Sequence, residues 1–329
     1  MNTRDKNATY KLFAKALEQK GYTTEVQEEH PMVVTYTSPH GMVWKTKAAH
    51  MTYPFNTNRV YDIALQKSAS YRLAAEAGLS IPYTVSGADA VTDEKLQALL
   101  DRCETLVVKP ADLFQSKGVT VNIGTLSKLK EVILYAQSFS SSILLQQQVG
   151  GEEVRFTVLN GKVKTVLLRR TARIVGDGNL SIAELIKKEN EARSLLHFEY
   201  IDYPQLDDSL VDPATLHSDR IPAKDEVIEL NRSTMIRNGC SIYNISAEVD
   251  ESYIKLVEKL VMKLDAGFVV VDLFCLSYKD PATTNNYWFN ELNTAPSVRL
   301  YYGSRDGRQF DIVGQLADMI DGWIHHSTR

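Results

Sequence analysis

One carboxylate constrains this chain more than any other residue. Asp272 sits inside Phe268-Val-Val-Val-Asp-Leu-Phe-Cys275, a run that is otherwise apolar. Such a run reads as a buried strand, and a charge buried there unpaired costs several kcal/mol. Asp272 therefore needs a partner. The run Tyr287-Trp-Phe-Asn-Glu-Leu-Asn293 reads as the next strand, and alternation puts Glu291 and Asn293 on one of its faces. If the two strands pair, Asp272, Glu291 and Asn293 converge as oxygen ligands. A small oxygen-only set suits Mg²⁺, which keeps several waters and takes further ligands from phosphates. The alternative is a buried aspartate satisfied by backbone N–H groups, or by an arginine or lysine.

The rest of the chain narrows the setting. At 329 residues it can bury a core shared by two or three packed subdomains. Its apolar content of 44% and charged content of 24% are those of a globular protein. A net charge of −4 supplies no global basic field, which argues against nucleic acid or an anionic membrane as partner. The three cysteines are far apart with no C-x-x-C pair, which excludes a disulfide framework and a cysteine-built zinc site. No stretch approaches the length of a membrane span, and the N-terminus has no apolar signal-like segment. A cytoplasmic location is the expectation.

Helices and strands alternate irregularly. Helices are expected over 9–20, 60–77, 251–264 and 311–324, and Ser181-Ile-Ala-Glu184 is a capping box that opens another. Asn160-Gly161 between two β-rich runs is the strongest short-range hairpin signal in the chain. Hairpins mixed with helix-to-strand units give α+β or mixed α/β, not a doubly wound Rossmann sheet.

Lys109 ends a short β-rich run at Pro110, and the polar loop after it holds Ser116-Lys117-Gly118. A turn of this kind can aim backbone N–H groups and a lysine at phosphate oxygens. No Walker A loop is present, and a solvated hairpin tip is the plainer reading of the loop by itself.

The order of the motifs says more than any one of them. VVKP (107–110), SKGVTVNI (116–123), GEEVRFTVLNGKV (151–163), LLRRTARIVGDGNLSIAELI (167–186), RIPAKDEVIEL (220–230), VVVDLF (269–274) and FNELNTAPSVR (289–299) follow one another. This series closely resembles the ATP-grasp ligase module of cyanophycin synthetase and of the bifunctional glutathione synthetases, from about Lys67 to the C-terminus.

The resemblance implies a nucleotide between two α+β subdomains. They would be a mobile lid over residues 105–170 and a metal-binding core over 171–329, within an ATP-grasp domain spanning 63–329. Residues 1–62 would form a separate α/β region. It implies that Lys67 and Lys109 touch ATP phosphates, capped by Ser116, Lys117 and Gly118. Gln146, Gln147 and Val149 would line the adenine pocket, and Glu153 would take the ribose hydroxyls. Asp272, Glu291 and Asn293 would hold Mg²⁺ (or Mn²⁺). Arg155 and Arg169 would face the transferred phosphoryl group, and Arg299 would grip a substrate carboxylate.

Two departures bear on substrate. The family's paired acids in the adenine strand are here Gln146 and Gln147. Its usual Thr-Gly-Gly in a substrate loop is here Arg237-Asn238-Gly239, which points to a different, anionic substrate. The further domains of those larger enzymes are not matched, so a stand-alone module is expected. The implied activity is a carboxylate–amine ligase that joins amino acids or small peptides through an acyl phosphate, releasing ADP and phosphate. Relatives of this kind commonly oligomerise, so a homodimer is in view. Two alternatives stay open: a non-amine acceptor, or a nucleotide-binding regulatory protein without turnover.

Overall fold

The computed structural model describes residues 8–28, 32–48, 51–86, 92–113 and 118–326. Among them the strands form three larger antiparallel sheets and one two-stranded ribbon. The largest sheet runs in the spatial order Ser241–Asn244, Lys162–Arg170, Glu152–Leu159, Phe268–Cys275, Tyr287–Asn293. Its hairpin turns at Asn160 and Gly161, both at positive φ (48° and 72°), as the Asn-Gly pair predicts. A four-stranded sheet has the order Thr84–Ser86, Ile143–Gln147, Leu106–Pro110, Thr120–Ile123. Near the N-terminus, Thr23–Gln27, Val33–Thr37 and Val43–Lys47 form a meander. The architecture is mixed α/β with antiparallel sheets, in line with the sequence reading.

The central strand, Phe268–Cys275, is buried on both faces because apolar elements cover each side. Val269, Val271, Leu273 and Cys275 meet the helices Asn58–Leu65, Lys67–Glu76 and Glu251–Leu264. Phe268 and Val270 point the other way, into a core shared with the N-terminal meander and the last helix, Ile312–His326. Each fully buried side chain of this size contributes about 1.5–3 kcal/mol. Asp272 alternates with the second set. The strand therefore carries its carboxylate on the meander side of the sheet, beyond the end of that apolar core.

One expectation is corrected. The helix expected over 60–77 is two helices, broken at Gln66, which is extended (φ −100°, ψ 99°). The break lets both halves bury an apolar face, with Val60 in the first and Tyr71, Leu73 and Ala74 in the second. Burial outweighs the weak propensity for one continuous helix. As a result Lys67 becomes the first residue of a new helix. Two helices that the sequence expectations do not include, Asp93–Cys103 and Leu126–Gln137, pack on the smaller sheet. Their signal lay in the caps: the Thr92 and Thr125 hydroxyls accept from the Lys95 and Lys128 N–H groups.

Gly151 turns the chain into the strand that carries Glu153 and Arg155, at φ +108°. A Cβ there would lie 2.6 Å from the carbonyl carbon and oxygen of Cys275, which are backbone and cannot swing aside. Gly151→Ala is expected to cost about 2 kcal/mol or more of stability. A urea unfolding curve with an unchanged midpoint would contradict this close approach. Among the described residues, no helix is long and apolar enough to cross a membrane.

Candidate active site

The expected pairing of the two acidic strands is present, and their register places the carboxylates. Asp272 lies opposite Glu291 on one side and opposite Arg155 on the other. Glu153 lies opposite Arg169. Alternation puts Glu153, Arg155, Arg169, Asp272, Glu291 and Asn293 on one face of the five-stranded sheet. The last strand adds a bulge: Asp272 and Leu273 pair with Glu291 and Phe289, leaving Asn290 as the extra residue. Strict alternation would have put Phe289 beside Glu291. The bulge instead sends Phe289 into the helix-side core with Leu292 and leaves Glu291 on the polar face.

Asp272 finds an arginine. Arg155 Nε donates to Oδ1 at 2.8 Å and its terminal nitrogen to Oδ2 at 2.6 Å, with both residues buried. Burial works against the guanidinium charge, but Asp272 outweighs it and raises the Arg155 pKa. Arg169 pairs with Glu153, donates to the Thr234 carbonyl at 2.8 Å, and stands 4.0 Å from Asp272. Behind this layer, the hydroxyls of Thr157 and Tyr301 share a 2.7 Å hydrogen bond.

Glu291 is the odd acid out. Two of the three carboxylates on this face have an arginine each. Among the described residues Glu291 makes no hydrogen bond or ion pair, although it is half-buried. Burial pushes its pKa up and the charges of Asp272 and Glu153 push it further, against the pull of Arg155 and Lys67. This is a surplus of buried negative charge at an oxygen-rich spot. The arginine on Asp272 leaves lone pairs free on both carboxylate oxygens. Among the described residues no group of three or more His, Cys, Asp or Glu side chains is arranged to hold a metal ion. A hard cation such as Mg²⁺ would therefore take two carboxylates, Asn293 and oxygens from bound phosphate. Asn293 Oδ1 accepts from the Ala295 N–H at 2.9 Å and keeps a second lone pair.

The lysines come from outside this sheet, Lys109 from the four-stranded sheet and Lys67 from the helix Lys67–Glu76. Lys109 Nζ donates to Tyr71 Oη and to Gln146 Oε1, both at 2.8 Å, and Gln146 Nε2 donates to Thr84 Oγ1 at 2.8 Å. The Gln146 amide, expected at the adenine pocket, thus orients Lys109. Lys67 donates to the Leu113 carbonyl at 2.7 Å, and burial lowers its pKa while Glu291 opposes the shift. Gln147 accepts from the Tyr83 N–H at 3.4 Å, and Val149 is half-buried just beyond that strand. Ser116 and Lys117 lie outside the described residues. Gly118 is buried at φ +71°, where a Cβ would sit 2.9 Å from Pro110.

Of the loop triplet, only Arg237 is exposed. Asn238 donates to Ser233 Oγ, and its carbonyl accepts from Asn231, each at 2.8 Å. Gly239 is left-handed (φ +90°) and packs on Leu206. Asn238 and Gly239 therefore shape the loop that displays Arg237. Arg299 is half-buried on the short turn Val298–Tyr302 after Asn293. Arg232, at the start of the loop, donates to Asn122 Oδ1 at 2.5 Å, and so does Gln148. That contact bridges the smaller sheet and the loop.

No protein-family model matches the chain. The glutathione biosynthesis bifunctional protein of Listeria monocytogenes is 26% identical over 75% of this chain and 32% of its own length. Cyanophycin synthetase of Trichormus variabilis is 24% identical over 79% of the chain and 29% of its own length. The crystal structure of a bifunctional glutathione synthetase from Pasteurella multocida superposes with a TM-score of 0.63 and 23% identity. It covers 95% of this chain and 44% of that one. The chain has the ATP-grasp fold.

The chain spans about a third of the length of the curated relatives it matches. Within the ATP-grasp fold, the arginine partners of Asp272 and Glu153 are set by register across three strands. Arg169 also meets Thr234, which comes from a loop outside the sheet. The Asn160-Gly161 hairpin signalled only that the strands carrying Glu153 and Arg169 are neighbours. A register shift at Thr157 and Val158 sets their pairing, and Asp272 meets Arg155 on the other side of that strand.

Proposed function

We propose that this chain is an ATP-dependent carboxylate–amine ligase acting on amino acids or small peptides, with the lid and core divided as the resemblance implies. One observation carries the reading. A single sheet face gathers three carboxylates and two arginines, one acid without an arginine partner among the described residues, near two lysines from separate elements. No such assembly is needed to hold a fold together.

In this reading a substrate carboxylate oxygen attacks the γ-phosphorus of ATP and the bond to ADP breaks. The amine nitrogen then attacks the acyl carbon, phosphate leaves, and the nitrogen loses its proton to solvent. Anion approaches anion in the first step, so positive charge must already be in place. Mg²⁺ held by Asp272, Glu291 and Asn293 would neutralise phosphate charge. Lys67 and Lys109 bind the phosphates, and the Gln146 and Tyr71 contacts fix where the Lys109 ammonium points. Arg155 holds the Asp272 carboxylate in place through two hydrogen bonds, and Arg169, anchored by Glu153, presents its charge toward the acyl phosphate. Arg299 and the exposed Arg237 are placed for the substrate's own anionic groups.

The test is ADP release with Mg²⁺ or Mn²⁺ across a panel of amino-acid and peptide pairs, with hydroxyl and thiol acceptors in parallel. No carboxylate-stimulated ADP across the panel would refute the ligase reading and leave a nucleotide-binding protein. Stimulation by hydroxyl or thiol acceptors alone would replace the amine. Arg237→Ala is expected to raise the substrate KM about tenfold, the value of one charge-assisted hydrogen bond, with the ATP KM within about twofold. A shift in the ATP constant instead would move the loop away from the substrate.

A further inference from the structure

Away from the reacting groups, one carboxylate serves two buried arginines. Glu189, on the helix Ile182–Ser194, accepts from Arg193 Nε at 2.8 Å and from an Arg305 terminal nitrogen at 2.6 Å, both on Oε1. Arg193 is sealed in, with its side chain 1% exposed, and Arg305 is nearly so at 13%. Both guanidiniums reach past Glu189 to the end of the Arg237 loop. Arg193 donates to the Gly239 carbonyl at 2.8 Å and to Ser241 Oγ at 3.4 Å. Arg305 donates to Ser241 Oγ at 2.9 Å, and its own N–H pairs with the Ile242 carbonyl at 2.8 Å.

The charge balance makes Glu189 the keystone of this cluster. Without it two buried cations face each other with only carbonyls and one hydroxyl as acceptors, and each would push the other off. The connectivity gives the cluster its meaning. Arg305 follows the turn Val298–Tyr302 that carries Arg299, and Gly239 ends the loop that carries Arg237. We infer that Glu189 is a positioning residue that sets the separation of the Arg237 loop from the Arg299 turn, and through it the size of substrate admitted between them. The inference rests on the ligase reading for its substrate, and on geometry alone for the clamp.

The decisive comparison is wild type against Glu189→Gln and the milder Ser241→Ala, which deletes the hydroxyl shared by both arginines. Each variant is expected to raise the substrate KM, by about tenfold for Glu189→Gln, with kcat and the ATP KM within about twofold. Trypsin should cut after the exposed Arg232 and Arg237 several times faster than in wild type, read by mass of the fragments. Unchanged loop cleavage and substrate KM in either folded variant overturns the clamp. So does a parallel loss of kcat and both KM values, which would mark a general structural defect. If Glu189→Gln does not fold, Ser241→Ala decides alone. If the wild type ligates nothing, the ligase reading has failed, and the rate of loop cleavage still judges whether the clamp holds the loop.

Discussion

Replacing Glu291 by glutamine is expected to lower kcat about a hundredfold or more, the range for removing one preorganised charge-stabilising group, without loss of thermal stability. Both halves come from one observation. Glu291 carries the negative charge on this face that has no arginine of its own, and Asp272 and Glu153 raise its pKa after burial has done so. Neutralising it relieves that repulsion in the free protein, so the melting temperature should hold or rise. The same change removes a charged oxygen donor from the proposed Mg²⁺ set, so turnover and metal affinity should fall together. Near-normal activity in Glu291→Gln would refute the metal assignment. Lost activity together with a lowered melting temperature would assign Glu291 a structural role instead.

Arg155→Ala is expected to be the most damaging single change to stability, by about 3–5 kcal/mol. It strips buried Asp272 of both its hydrogen bonds to a guanidinium and leaves only Arg169, 4.0 Å away, as a cation. Arg155 and Asp272 are 3% and 0% exposed, so water cannot replace the lost bonds. Most single substitutions cost far less than this. The pair itself need not be a net gain. Arg155→Met combined with Asp272→Leu should recover much of the loss while remaining inactive, since a well-packed apolar pair can equal a buried ion pair. Urea unfolding of wild type and the two variants separates these terms. If Arg155→Ala unfolds like wild type, Asp272 is not the buried, arginine-dependent acid described above.

Much of the site was legible because it lies on strands. Alternation put Glu291 and Asn293 on one face of their strand, and Asp272 joined them once the two strands paired. The Asn-Gly turn marked the hairpin, but a register shift at Thr157 and Val158 was needed to bring Glu153 opposite Arg169 rather than Leu168. The loops were less legible. Arg237-Asn238-Gly239 read as one substrate triplet, yet Asn238 and Gly239 bond and pack within the loop while Arg237 stands outside. Gln146 read as an adenine contact, and its amide also fastens Lys109, a partner the sequence did not point to. In both cases a polar side chain had several partners in reach, and periodicity carries no information about which one it takes.

The sequence by itself determined the two acidic strands, their facing sides and the antiparallel hairpin, since a period of two and one turn motif suffice for those. It also required that Asp272 have a partner, because an unpaired buried charge is too costly to keep. Only the tertiary structure decided that the partner is Arg155, that Glu291 is left without an arginine, and that a bulge at Asn290 separates Glu291 from Phe289. The physical reason is that charge compensation is a property of the whole neighbourhood. Five strands and the loops beyond them contribute to it, and no local pattern counts those charges in advance.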